Sequence, residues 1–210
     1  MKDRAGRAAL QKYVYLAANM LISVLSLLRN LFFMKTLVLT DLAQVALVQT
    51  LVMLIGFVQF GIVNGAYIQY ARDDGERKRR TVDTFFTLAA LLTAAAGIFV
   101  LSNGSSSFGA SIPSQTITFG LFTGLATLLS TWLNNSLIAD GRLPRSNLVN
   151  LMAVGLSLAT GVASIRFGLT AALWSLLLQP VIAVLAIVVL DPNLRPRRPR
   201  LDAPLLRELL

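Results

Sequence analysis

Arg29 is the one charge that stands unambiguously inside an apolar run of this sequence, about Tyr13–Val38, and no acid lies in that run to neutralise it. A guanidinium in the core of a bilayer costs about 3 kcal/mol or more unless it reaches water, a partner or a ligand. Its planar fork donates two parallel hydrogen bonds to anionic oxygens, so the chemistry it offers is the binding of a phosphate or pyrophosphate. A helix ending near Phe33 would let Arg29 snorkel to the interface, whereas a helix continuing to Val38 would favour a cavity-facing position. Beside it, Asn19, Ser23, Ser26 and Asn30 follow at spacings of four, three and four, which stacks them on one helical face.

Two later runs carry similar stripes. One is Gly120, Gly124, Thr127, Thr131 and Asn134; the other is Asn147, Asn150, Val154, Ser157, Gly161 and Ser164. Gln59, Ile62, Ala66 and Gln69 share a face of a further run, which adds Gln59 as a hydrogen-bonding candidate. Stripes of small and polar residues serve as packing faces between membrane helices, and Gly61-x-x-x-Gly65 and Gly120-x-x-x-Gly124 fit that use. Converging stripes also line the water-filled cavities of transporters. On this second reading the substrate-binding candidates are Arg29, Asn19, Ser23, Ser26, Asn30, Gln59, Asn134 and Asn150.

Other chemistries lack their residues. The chain has no His and no Cys, so His-based triads, thiol nucleophiles, disulfides and the commonest metal sites have no components. All ten acids lie in connections or at the ends of apolar runs, which leaves no deep carboxylate for a proton or sodium site. We therefore expect no catalytic residues, no cofactor and no metal.

The elements that must position these groups are membrane helices. Of the 210 residues 55% are apolar and only 14% are charged, well below the roughly 25% charge of a soluble domain. A helix needs about 20 apolar residues to cross the hydrocarbon core. Six stretches qualify, at about Tyr13–Val38, Leu42–Tyr70, Val82–Leu101, Thr116–Ile138, Leu148–Ile165 and Leu169–Leu190. The expected architecture is all-α and polytopic: a six-helix transmembrane bundle over residues 1–190 and a basic cytoplasmic connector over 191–210.

The net charge of +9 sits between the apolar runs rather than on one amphipathic face, which argues for a bilayer and against nucleic acid. Sixteen Lys and Arg fall before the first run, after the second and fourth and beyond the sixth, against Lys35 and Arg166 on the opposite side. The positive-inside rule then places both termini in the cytoplasm, with a bacterial inner membrane as the default location. The first run is too long for the apolar part of a cleaved signal peptide. Arg77-Lys78-Arg79-Arg80 reads as a topology signal and a contact for anionic lipid, worth about 1 kcal/mol per charge. Ser102–Gln115 is uncharged and rich in Gly and Ser, as a flexible outer loop would be.

The run Leu42–Glu76, with Gly61-Ile62-Val63-Asn64-Gly65 leading to Arg72, resembles the second helix of the polysaccharide and O-antigen flippases of the multidrug/oligosaccharidyl-lipid/polysaccharide exporter superfamily. Hydropathy and loop spacing extend the likeness over essentially the whole chain. Proteins of that family have twelve to fourteen helices in two lobes, so the resemblance implies an amino-terminal lobe. The ending Arg195–Leu210 resembles the connector to a seventh helix. The resemblance also implies alternating access around a central cationic cavity that carries the headgroup of a lipid-pyrophosphate-linked glycan, with a second six-helix lobe as partner. First-helix arginines line the cavity in related lipid-pyrophosphate flippases, which makes Arg29 the position to carry over.

Three other functions remain open on the sequence. A drug or cation antiporter of the same fold would need a membrane-embedded carboxylate from elsewhere. A membrane-embedded enzyme would need clustered acids or a nucleophile with a base. A scaffold subunit would dimerise through its Gly-rich faces without transporting anything.

Overall fold

The computed structural model describes residues 2–58, 61–103 and 113–202, and every regular element among them is helical. In chain order these are α1 (Lys2–Thr36), α2 (Leu39–Val58), α3 (Ile62–Arg72), α4 (Gly75–Asn103), α5 (Ser114–Ala139), α6 (Leu143–Val162) and α7 (Ser164–Leu190). A 3-10 turn follows at Pro192–Leu194. Lipid offers no hydrogen bonds to the backbone, so long apolar stretches satisfy their own amides as helices. Stretches of α1, α2, α4, α5 and α7 are long and apolar enough to cross a membrane, and the chain is a multi-pass helical membrane protein.

The helices depart from the expected spans at two places. The run 42–70 is not one helix: α2 stops at Val58 and α3 begins at Ile62, with Gly61 between them in the left-handed region at φ 82°. A side chain is strained at that φ, so glycine marks the break. Helix α6 is 20 residues long and is not among the five apolar helices, because Arg145, Ser146, Asn147 and Asn150 occupy its first two turns. Its length still matches the thickness of a bilayer core at about 1.5 Å per residue. Gly168, at φ 55°, kinks the start of α7 and sets Ser164–Phe167 apart from the straight segment that begins at Leu169.

Helices α5 and α7 form the centre. Helix α5 packs against α2, α3, α4 and α7, while α7 packs against α6, which in turn carries α1. At one end of the bundle Thr36 at the end of α1 meets Ser164 at 3.0 Å, and Thr116 at the start of α5 donates to Gln44 of α2 at 2.8 Å. At the other end the exits of α3, α5 and α7 gather: Tyr70 donates to Asp140 at 2.9 Å, Lys78 pairs with Asp140 at 2.5 Å, and Arg142 pairs with the wholly buried Asp191.

Two apolar clusters hold this arrangement. Trp132 of α5 stacks on Phe85 at 4.3 Å and takes Tyr70 edge-on at 6.1 Å near the charged end. Phe33, Leu37, Val45, Val48, Ala172, Leu173 and Leu176 fill the opposite end. The expected small-residue contact is present at Gly120 and Gly124, where an added Cβ would stand 2.5 Å from Leu51 and 2.3 Å from Ile55 of α2. At Gly61 an added Cβ would meet nothing within 4 Å. The basic segment after α7 lies against the bundle. Arg195 caps the carbonyls of Val188 and Val189 at 2.7 and 2.6 Å, and the Arg197 and Arg200 amides donate to Asp83 and Thr87 of α4.

Candidate functional site

The α1 helix runs on to Thr36, and Arg29 is held inside the bundle with 7% of its surface exposed rather than snorkelling. Its Nη1 donates to Ser157 Oγ of α6 at 2.6 Å and to Gln179 Oε1 of α7 at 2.5 Å. Room for the side chain comes from Gly161, where a Cβ would lie 3.0 Å from Arg29 Cγ. The floor beneath it is rigid. Ser157 and Ser175 each donate to the other's carbonyl, at 2.8 and 2.6 Å, which locks α6 to α7 at this level. The buried Arg29 Nε and Asn30 Oδ1 have no hydrogen-bond partner among the described residues.

Arg29 lines a cavity of about 620 Å³ between α1 and α2, with α5, α6 and α7 as its back wall. Because α1 rests on α6 and α2 rests on α5, the two side walls stand apart. Five of the expected residues meet in this cavity: Asn19, Arg29, Asn30, Asn134 and Asn150. Asn134 and Asn150 pair through their amides at 3.1 and 3.2 Å, and Ser146 donates to Asn134 Oδ1 at 3.0 Å. Thr127 and Thr131 line the same wall, so the α5 stripe serves both uses: its glycines pack on α2 and its later residues face the cavity.

Ser23 and Ser26 are not part of this lining. Ser23 is exposed and its hydroxyl donates to the carbonyl of Asn19 in its own helix at 2.9 Å. Gln59 lies outside the described residues. Gln179 and Gln49 line the cavity although neither belongs to a polar stripe. Gln179 carried a signal in the sequence, as the lone amide of the strongly apolar α7, immediately before Pro180; Gln49 carried none, since Gln44 of the same helix looks alike in the sequence.

The electrostatics of the cavity are one-sided. Among the residues lining it there is one guanidinium, there are amides and hydroxyls, and there is no carboxylate. Such a surface can receive an anion at Arg29 and exchange hydrogen bonds with hydroxyl groups elsewhere, because amides and hydroxyls both donate and accept. Comparison of the chain with protein families, with curated proteins and with solved structures gives no match.

Proposed function

We propose that this chain is a six-pass lobe of a transporter that moves a lipid-linked oligosaccharide or polysaccharide precursor across the inner membrane by alternating access. In this reading both termini are cytoplasmic and a second six-helix lobe closes the open side of the cavity. The single observation that carries the proposal is the pairing of a buried, unneutralised Arg29 with a neutral polar lining free of acids. A pyrophosphate-linked glycan presents the complementary set, an anion next to many hydroxyls. A cation antiporter would want a carboxylate at the same depth, and none lines this cavity.

The test is translocation of a polyprenyl-pyrophosphate-linked glycan in native membrane vesicles, read as the glycan's access to a lectin on the far side. Arg29→Ala should lower the rate about tenfold or more with the protein still inserted, since a charge-assisted hydrogen bond to an anion is worth roughly 1.5–3 kcal/mol. Arg29→Lys should recover part of the loss, keeping the charge without the bidentate fork. Equal rates in wild type and Arg29→Ala would remove the anion site from the proposal. Export abolished by deletion, yet indifferent to every cavity substitution, would instead point to a scaffold subunit.

A further inference from the structure

The end of the bundle opposite Thr36 and Ser164 holds a second polar pocket, of about 340 Å³, that the cavity reading does not use. Its wall is built by Tyr70 from α3, Lys78 and Arg79 from the first turn of α4, Asp140 and Arg142 from the α5–α6 turn, and Asn193 after α7. Three cations therefore face one carboxylate.

Asp140, the carboxylate that lines the pocket, and Asp191, the partner of its Arg142, are both already engaged. Asp140 receives Lys78 Nζ on Oδ1 and the Tyr70 hydroxyl on Oδ2. Asp191 receives Arg142 on Oδ2 and the Asn193 amide on Oδ1, with Arg145 at 4.0 Å. Neither carboxylate is left to repel an entering anion with a free oxygen. Arg79 is exposed and makes no hydrogen bond or ion pair among the described residues, so its charge is uncompensated. One helix N-terminus adds to it: Gly75, the first residue of α4, lines the pocket. The start of α6 adds little, because Pro144 has no N–H and the Arg145 amide already donates to the Arg142 carbonyl at 3.0 Å. Helix N-termini carry partial positive charge and favour phosphate.

We propose that this pocket is a phosphate-binding site distinct from the Arg29 cavity, with Arg79 as its free cation and the paired Lys78 and Arg142 as its walls. It converts the basic run 77–80 from a diffuse surface charge into a defined site. Its ligand is a phosphate ester or free phosphate; the location at an end of the membrane helices puts it at the level of lipid headgroups. The inference stands whether or not the chain moves a glycan, because it shares no residue with the cavity.

The test is thermal unfolding of the full chain in detergent micelles, titrated with a short-chain phosphatidic acid, with the matching phosphatidylcholine and with inorganic phosphate. Phosphatidic acid should raise the unfolding midpoint and phosphatidylcholine should not, since only a ligand that binds the folded state shifts it. Arg79→Gln should weaken binding about fivefold or more, as expected for loss of a charged hydrogen bond. Arg197→Gln, which removes the same charge outside the pocket, should leave binding unchanged. An equal response to inorganic phosphate, with the same dependence on Arg79, would identify a soluble phosphate as the ligand; a response to the lipid alone would identify the headgroup. No binding of either anion, or equal weakening by the two substitutions, overturns the site.

Discussion

Arg29 on α1 and Gln179 on α7, 150 residues apart in the chain, meet at 2.5 Å with Nη1 donating to the amide oxygen. The amide accepts from Nη1 without neutralising the guanidinium. A carboxylate at the same place would form an ion pair and cancel the charge that the cavity presents.

Gln179→Glu tests that distinction. The substitution adds an acid opposite a buried cation, so the thermal stability of the purified protein should be unchanged or raised. Glycan translocation should fall about tenfold, the loss expected when one charge-assisted contact to an anion is cancelled. Unimpaired translocation would show that the charge of Arg29 is not what the substrate meets.

Gly161 is the second lever on the same residue. Gly161→Val would drive a side chain into Arg29 Cγ, 3.0 Å from the ideal Cβ, and into Ser175 Oγ at 3.2 Å. Overpacking of this kind costs roughly 1–3 kcal/mol, so the midpoint of unfolding in detergent should drop. Gly155→Val, on the same helix but with nothing within 4 Å of the added Cβ, should be nearly neutral.

The two members of the Arg142–Asp191 pair should respond unequally. Asp191 is fully buried, whereas the Arg142 side chain keeps 31% of its exposure. Removing the arginine strands a buried carboxylate, for which a cost of roughly 3–5 kcal/mol is typical when no other cation can reach it. Arg145 at 4.0 Å offsets part of that cost. Asp191→Asn leaves Arg142 able to turn to water. Arg142→Gln should therefore destabilise more than Asp191→Asn in equilibrium unfolding, and the order should reverse only if the carboxylate gains water in the variant.

Because the chain has no cysteine, its topology can be read with single introduced thiols. Ser114→Cys, exposed at the start of α5, should react with a membrane-impermeant maleimide applied to intact cells. Asp74→Cys, in the turn between α3 and α4, should react only after permeabilisation. The reverse pattern would invert the proposed orientation.

Much of this protein was legible in one dimension because the bilayer imposes simple demands. An unpaired amide in hydrocarbon costs several kcal/mol, so apolar length alone calls for helices. The stripe spacing of α1, α5 and α6 placed Asn19, Asn30, Asn134 and Asn150 on common faces before any neighbour was known. Arg29 stood out for the same reason: a charge in an apolar run demands a partner.

What pattern could not supply was which helix faces which. The identity of the Arg29 partners depends on α6 and α7 being locked by Ser157 and Ser175 and on Gly161 leaving space for the side chain. The exclusion of Ser23 and Ser26 depends on where the cavity wall falls across α1, which a spacing of three or four residues does not determine. The break at Gly61 needs a φ of 82°, and an apolar run of suitable length looks the same with or without it. The sequence by itself determined which segments must be helical and which residues are costly to bury, because those are properties of a residue and its solvent. Only the tertiary structure decided which of those residues share a cavity, because that is set by contacts between segments far apart in the chain.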